Sequence, residues 1–260
     1  MIEIRSCAGF EELDACVRLQ IETWGYDETD VIPRKAFRVA QKIGGQVLGA
    51  FDTAISGLPQ SLVGFAMSLP GVKTRPGSEP QAYLHSHMLA VRESSRNRGL
   101  GAKLKREQRL EALSRGIRLI EWTFDPLEIK NAFLNIHRLG AVARTYLVDF
   151  YGVSSSRLQG GLPTDRLVAE WHLDSPRVKA IVDGAAPASQ TAQRIDARIC
   201  VPAAIYEWKS VETNREHALA VQLENRSKFQ QAFSQGLAVV GFVRSPEGDG
   251  IYELGPVSGV

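Results

Sequence analysis

Apolar and polar positions change rhythm several times along the chain, and each change marks an element. Residues 2–5 alternate, as a short strand does. From Phe10 the period lengthens. Phe10, Leu13, Val17 and Ile21 fall three to four apart, with Cys16 and Gln20 beside them, which predicts a helix ended by Gly25. A second helix is predicted over 33–42, opened by a proline where no backbone N–H is needed. Strands follow at 47–53 and 62–69, around a Gly/Pro/Ser turn. The stretch 70–80 holds three prolines and two glycines and reads as a loop. A strand is predicted over 81–91, a glycine turn at 97–101, an amphipathic helix over 102–116 and a buried strand over 117–126. A helix at 128–140 and two strands at 143–152 and 166–175 complete this part.

The order over 1–174 is β-α-α-β-β-β-α-β-α-β-β. It predicts an α/β domain with a mixed central sheet flanked by helices, hairpins at both ends and one crossover in the middle. Residues 175–194 are expected to be a linker, small and polar from 184 onward. The tail, 195–260, is expected to be an α+β extension. It reads as a strand at 197–202, a helix at about 209–235 and a hairpin turning at Pro246-Glu247-Gly248-Asp249-Gly250. It is too poor in apolar residues for a core of its own and is expected to pack on the first domain or on a partner subunit, so that a homodimer is one option.

Composition narrows the picture only a little. With 31 basic and 29 acidic residues the net charge is +2, which gives no argument for a nucleic-acid or membrane surface. Cys7, Cys16 and Cys200 form no CxxC pair and no metal-ligand spacing, so neither a disulfide framework nor a metal site is expected. There is no signal-peptide pattern and no run of about 18 apolar residues. A cytoplasmic protein is expected.

The chemistry concentrates at 84–108. Arg96-Asn97-Arg98-Gly99-Leu100-Gly101-Ala102 lies between a predicted strand and a predicted helix. Glycines there let backbone approach a ligand and turn successive N–H groups into one spot, and the helix adds its positive end. Arg92, Lys103, Lys105 and Arg106 surround the loop. These features favour a pyrophosphate. The Walker spacing is absent, and the third glycine of the dinucleotide fingerprint is missing. Glycines at a plain strand-to-helix turn beside a solvated basic helix would give the same local pattern.

Arg96-x-x-Gly99-x-Gly101 resembles the pyrophosphate loop of the GCN5-related N-acetyltransferases, and the element order of 1–174 is similar to that fold. The resemblance implies that acyl-coenzyme A, most simply acetyl-coenzyme A, is the co-substrate. It implies that Leu89, Ala90 and Val91 pair with the pantetheine arm, and that Arg96, Asn97, Arg98, Gly99, Leu100, Gly101 and Ala102 form the pyrophosphate loop. Leu84-His85-Ser86-His87-Met88-Leu89-Ala90-Val91 resembles the HxHxLAV strand of arylalkylamine N-acetyltransferases, in which two histidines help to deprotonate the incoming ammonium. The alternation of a strand places 85 and 87 on one face, and histidine can take a proton near neutral pH. His85 and His87 are therefore candidate bases, or else hydrogen-bonded core groups. The run Glu121-Trp122-Thr123-Phe124-Asp125-Pro126, with Asn131-Ala132 and Leu139-Gly140-Ala141, is similar to an uncharacterised bacterial subgroup of these enzymes.

The chain also departs from the pattern. A tyrosine, general acid in many members, is expected three residues before Leu139-Gly140, and Ile136 stands there. Tyr146 is a candidate replacement. Asn131 and Asn135 are placed toward the pantetheine arm or on a polar helix surface. By resemblance Glu22 and Trp24 border the acceptor pocket, Glu22 as a second candidate base. Trp122 and Phe124 line the acyl pocket or simply end their strand. The expected activity is direct N-acyl transfer to a small amine or amino-acid-like acceptor. A non-catalytic acyl-coenzyme A sensor is the alternative.

Overall fold

The structure, a computed structural model, describes residues 1–74, 77, 79–184 and 194–257, with backbone alone for residue 157. The chain divides into two compact units. One is Met1–Glu121 with Ser155–Arg157, and the other is Trp122–Ser154 with Leu158–Val260.

The first unit contains β1 (Ile2–Ser6), α1 (Gly9–Trp24), α2 (Arg34–Lys42), β2 (Gln46–Asp52), β3 (Leu62–Lys73), β4 (Gln81–Val91), α3 (Leu100–Ser114) and the start of β5 (Leu119–Phe124). Its strand order is β1-β2-β3-β4-β5. The first four strands are antiparallel neighbours, and α3 crosses over so that β5 runs parallel to β4. Gly25, at φ 68, ends α1 and returns its N–H to the Ile21 carbonyl at 2.8 Å.

The two faces of this sheet carry separate cores. Leu13, Cys16 and Leu19 of α1 and Phe37 and Ala40 of α2 pack on Phe65, Met67, Met88 and Ala90. Leu100 and Leu104 of α3 pack on Leu48, Ala50, Val63 and Ala66, with Leu89 and Val91 against them. Ser155, distant in sequence, joins this unit by donating its N–H and hydroxyl to Asp30 Oδ2 at 2.8 and 2.7 Å.

Two local differences from the sequence pattern have physical causes. The predicted loop begins later, because β3 continues through Pro70 to Lys73, paired with 81–84 of β4. Pro70 is tolerated because the β2 ladder stops at Ser68, so the edge that lacks an N–H meets no strand. On β4 the register passes from Met67↔Met88 to Ser68↔Ser86, and no residue of β3 stands opposite His87. This bulge reverses the alternation. Ser86 faces α3, whereas Met88, two residues on, faces α1 and α2.

The second unit contains α4 (Ile129–Ala132) continued by a π-helical turn at Phe133–Arg138, then β6 (Val142–Leu147), β7 (Arg166–His172), α5 (Pro176–Val182), β8 (Ala197–Val201), α6 (Ile205–Ser210), α7 (Arg215–Ser234), β9 (Ala238–Arg244) and β10 (Gly250–Gly255). The strand order is β7-β6-β9-β10-β8. β6 ends sooner than its apolar run suggests. Asp149 turns to φ 44, and its carboxylate accepts from Thr164 N–H at 2.9 Å. The long predicted tail helix is split, because Val211 is extended between α6 and α7. Helix α5 occupies 176–182 of the stretch expected as linker, started by the Ser175 hydroxyl accepting from Val178 N–H. Residues 185–193 of that stretch lie outside the described residues. The tail shares a core with β6. Val239 pairs with Ala143, and Phe229 of α7 packs on Tyr146 and Tyr252.

Phe37→Ala, at a fully buried position of α2, is expected to cost about 3–5 kcal/mol in urea denaturation. Val39→Ala on the exposed face of the same helix should stay within about 0.5 kcal/mol.

Candidate active site

β4 leaves the sheet through a short 3-10 turn, Glu93–Ser95, and the chain then folds tightly before α3. Asn97 and Gly99 both take left-handed conformations, at φ 61 and 74. Gly99 is the N-cap of α3, so no side chain caps the helix, and its first turn carries no acidic residue. The amide groups at this end are left to a ligand, and the helix dipole favours an anionic one. A Cβ placed on Gly99 would meet no protein atom within 4 Å, so that side of the loop is open. Arg98, Lys103 and Arg106 are exposed around it. Arg96 has a second task, donating its Nε to the Val91 carbonyl at 3.0 Å and tying the loop to the strand end. Leu100 is buried and anchors the turn, with Gly101 and Ala102 half-buried beside it.

Within the first unit β4 and β5 pair at Leu84–Ile120 and His85–Glu121. β4 then continues six residues further, paired to β3 through Val91. This segment carries Leu89, Ala90 and Val91 to the foot of the loop. His85 and His87 lie at its start with ring centroids 6.1 Å apart. They are neighbours, and the register of β4 against β3 shifts at His87, where the sequence pattern suggested regular alternation. Burial pushes both imidazoles down. His85 falls to about 4, from burial first, then from the charge of His87 and of Lys105. Both are neutral at neutral pH and able to accept a proton.

Three polar residues behind the strand form a buried chain. Lys105 of α3 is 3% exposed and donates to the Ser86 hydroxyl at 2.8 Å. Ser86 passes its own proton to Gln108 Oε1 at 3.2 Å. Burial lowers the Lys105 ammonium from 10.5 to about 7. Glu121, the register partner of His85, is buried and ion-paired with Lys73. The sequence pattern marked Lys105 only as one of a basic cluster. The signal for its burial was its place beside Leu104 and Gln108 on the inward face of α3.

The other expected residues have these surroundings. The Glu22 carboxylate is held by Arg92 at 3.2 Å, and Arg92 also donates to the carbonyls of Pro59 and Leu62. Trp24 stacks on Tyr26 at 5.3 Å beside the α1–α2 core. In the second unit Trp122 and Phe124 are both buried, Trp122 edge-on to Trp171. Asn135 is buried inside the π turn whereas Asn131 is exposed, so the two do not share one environment. Ile136 is fully buried. Tyr146 donates its hydroxyl to Asp165 at 2.6 Å, and Arg226 holds both oxygens of that carboxylate. Burial and the Asp165 carboxylate raise the Tyr146 phenol well above its usual range, which keeps its proton on the oxygen. Among the described residues no cluster of His, Cys, Asp and Glu is arranged to hold a metal, and no helix is long and apolar enough to cross a membrane.

No family model matches the chain, and no curated protein matches it. Solved structures do. NAA60 of Arabidopsis thaliana, determined with acetyl-CoA, is 15% identical over 66% of this chain and 98% of that one, with a TM-score of 0.54. A putative acetyltransferase of Acinetobacter baylyi is 15% identical over 67% of this chain and 94% of that one, with a TM-score of 0.52. YncA of Salmonella typhimurium, a putative acetyltransferase determined with acetyl-CoA, is 17% identical over 67% and 95%, with a TM-score of 0.50. The fold is therefore that of the GCN5-related acetyltransferases, an α/β fold with a mixed sheet flanked by helices. About a third of the chain lies outside what these structures match.

The buried lysine gives a pH signature. Between about 7 and 10.5 the unfolded chain holds a proton on Lys105 that the folded chain has released, so this residue makes stability rise with pH across that window. The difference in unfolding free energy between wild type and Lys105→Met should change by up to about 1.4 kcal/mol per pH unit there. Urea denaturation at pH 7, 8 and 9 checks it.

Proposed function

We propose that the protein is an acyl-coenzyme A-dependent N-acyltransferase that moves an acetyl group to a small amine or amino-acid-like acceptor. The observation that carries this reading is the loop Arg96–Ala102. An uncapped helix end, a glycine open to solvent and exposed arginines converge just beyond the end of β4. The residues fit an acyl-coenzyme A. Amides of 98–102 would receive the pyrophosphate, and backbone of Leu89, Ala90 and Val91 the pantetheine arm. Its thioester is the activated acyl group of the reaction. Cytoplasmic residence and a homodimer are part of the same reading.

In the proposed step the free amine nitrogen attacks the thioester carbonyl carbon. A C–N bond forms, the C–S bond breaks and the sulfur leaves as thiolate. The proton shed by nitrogen passes to His85 or His87, directly or through water. Neutral imidazoles suit this role, since a protonated one accepts nothing. Glu22, engaged by Arg92, is better placed to attract a cationic acceptor than to take its proton. With Ile136 at the position of the family's tyrosine and Tyr146 committed to Asp165, the thiolate leaves without either of these phenols as proton donor.

Calorimetry with acetyl-coenzyme A tests the loop. Gly99→Glu adds a carboxylate at a left-handed position and should lower affinity by at least about a hundredfold. Retained affinity would refute the site. Thiol release across a panel of amines tests turnover. His85→Gln combined with His87→Gln should lower kcat by about 100-fold or more and abolish the acid limb of its pH profile. An unchanged profile removes the histidines from the role of base. Tight binding with no turnover across the panel would favour a sensor.

A further inference from the structure

The helix that presents the phosphate loop also carries Lys105, about one and a half turns further on and turned inward. Lysine is rarely buried to this degree without a task, since removing an ammonium from water costs several kcal/mol. Here the ammonium points at one residue of β4. Ser86 lies between the two histidines in sequence, next to the last in-unit pairing of β4 with β5. Because Lys105 can only donate, Ser86 must accept from it and give its own proton to Gln108, which fixes the hydroxyl's orientation. The chain Lys105–Ser86–Gln108 therefore clamps the bulged part of β4 onto α3, the helix whose first turn forms the phosphate loop.

The clamp also places charge. His85 faces away from α3, with Ser86 and Lys105 behind it. The titratable groups placed next to it within this unit are His87 on β4 and Glu121, its register partner on β5. Glu121 is buried and already paired with Lys73 of β3.

Resting on the reading given above, we propose that Lys105 is a positioning residue of the acyl-transfer site: held on Ser86, it fixes the bulge of β4 and, in its protonated form, places a positive charge behind His85. While protonated, Lys105 adds to the effect of burial in lowering the proton affinity of His85.

The test is a titration of the histidine 13Cε1 signals by NMR in the intact protein, wild type against Lys105→Met, with acetyl-coenzyme A affinity as the check on folding. The lysine titrates above His85, so it is charged while His85 titrates, and its removal should raise the His85 value by at least about half a unit. Ser86→Ala, which keeps the charge and loses the clamp, should move it less. In turnover, Lys105→Met should shift the acid limb of kcat upward and leave KM for acetyl-coenzyme A within about twofold. An unmoved His85 value in a folded Lys105→Met protein would overturn the proposal. Lys105→Gln is the second variant should methionine prevent folding. Should both fail to fold, the wild-type 15Nζ titration decides. A Lys105 value near 7 supports the buried clamp, and an ordinary value near 10.5 overturns it. The histidine titration needs no substrate, so a shifted His85 in a protein that acylates nothing would leave the electrostatic assignment standing and fail the functional one alone.

Discussion

The site depends on one geometric constraint, that the crossover helix between two parallel strands begins at the end of β4. β4 holds hydrogen bonds to β5 at Leu84 and His85 and is paired to β3 through Val91. A parallel strand needs a crossover, and here α3 supplies it. Its first turn consequently falls at the far end of β4, where Gly99 leaves amide groups uncapped. Strand backbone, positive helix end and arginines thus arise from one topological choice. The two cores on either face keep β3 and β4 in place, so the loop Arg96–Ala102 stands on packed elements at both ends.

The bulge at His87 is the second element of the design. It falls at the second of two histidines on a strand whose neighbours alternate differently before and after it. Ser86 thereby faces the helix while Met88 and Ala90 join the opposite core. An extra residue in a strand re-aims side chains at small cost, which is why bulges recur beside sites. The polar chain behind it is costly to bury and is fully engaged at Ser86, consistent with a role beyond packing.

Much of this was legible in the residues. Period changes located nearly every element of the first unit, and the glycine and arginine spacing located the loop, because both depend on local chemistry. The misjudged features depend on tertiary partners. Pro70 reads as a breaker until β2 is seen to stop short of it. The bulge needs the register of β3. Lys105 reads as one more surface cation until α3 is docked, and the acceptor of the Tyr146 hydroxyl is invisible until Asp165 and Arg226 close on it. The tail offered few apolar residues, yet Phe229 packs on Tyr146 of β6 and on Tyr252, which in turn packs on Phe242.

The most direct test is a map of backbone amide shifts in the first unit on adding acetyl-coenzyme A. The account predicts that the amides of Arg98–Lys103 and of Leu89–Val91 move most and saturate together, with those of β1 and β2 unmoved. Saturable changes confined to other segments, or none at millimolar ligand, would contradict it.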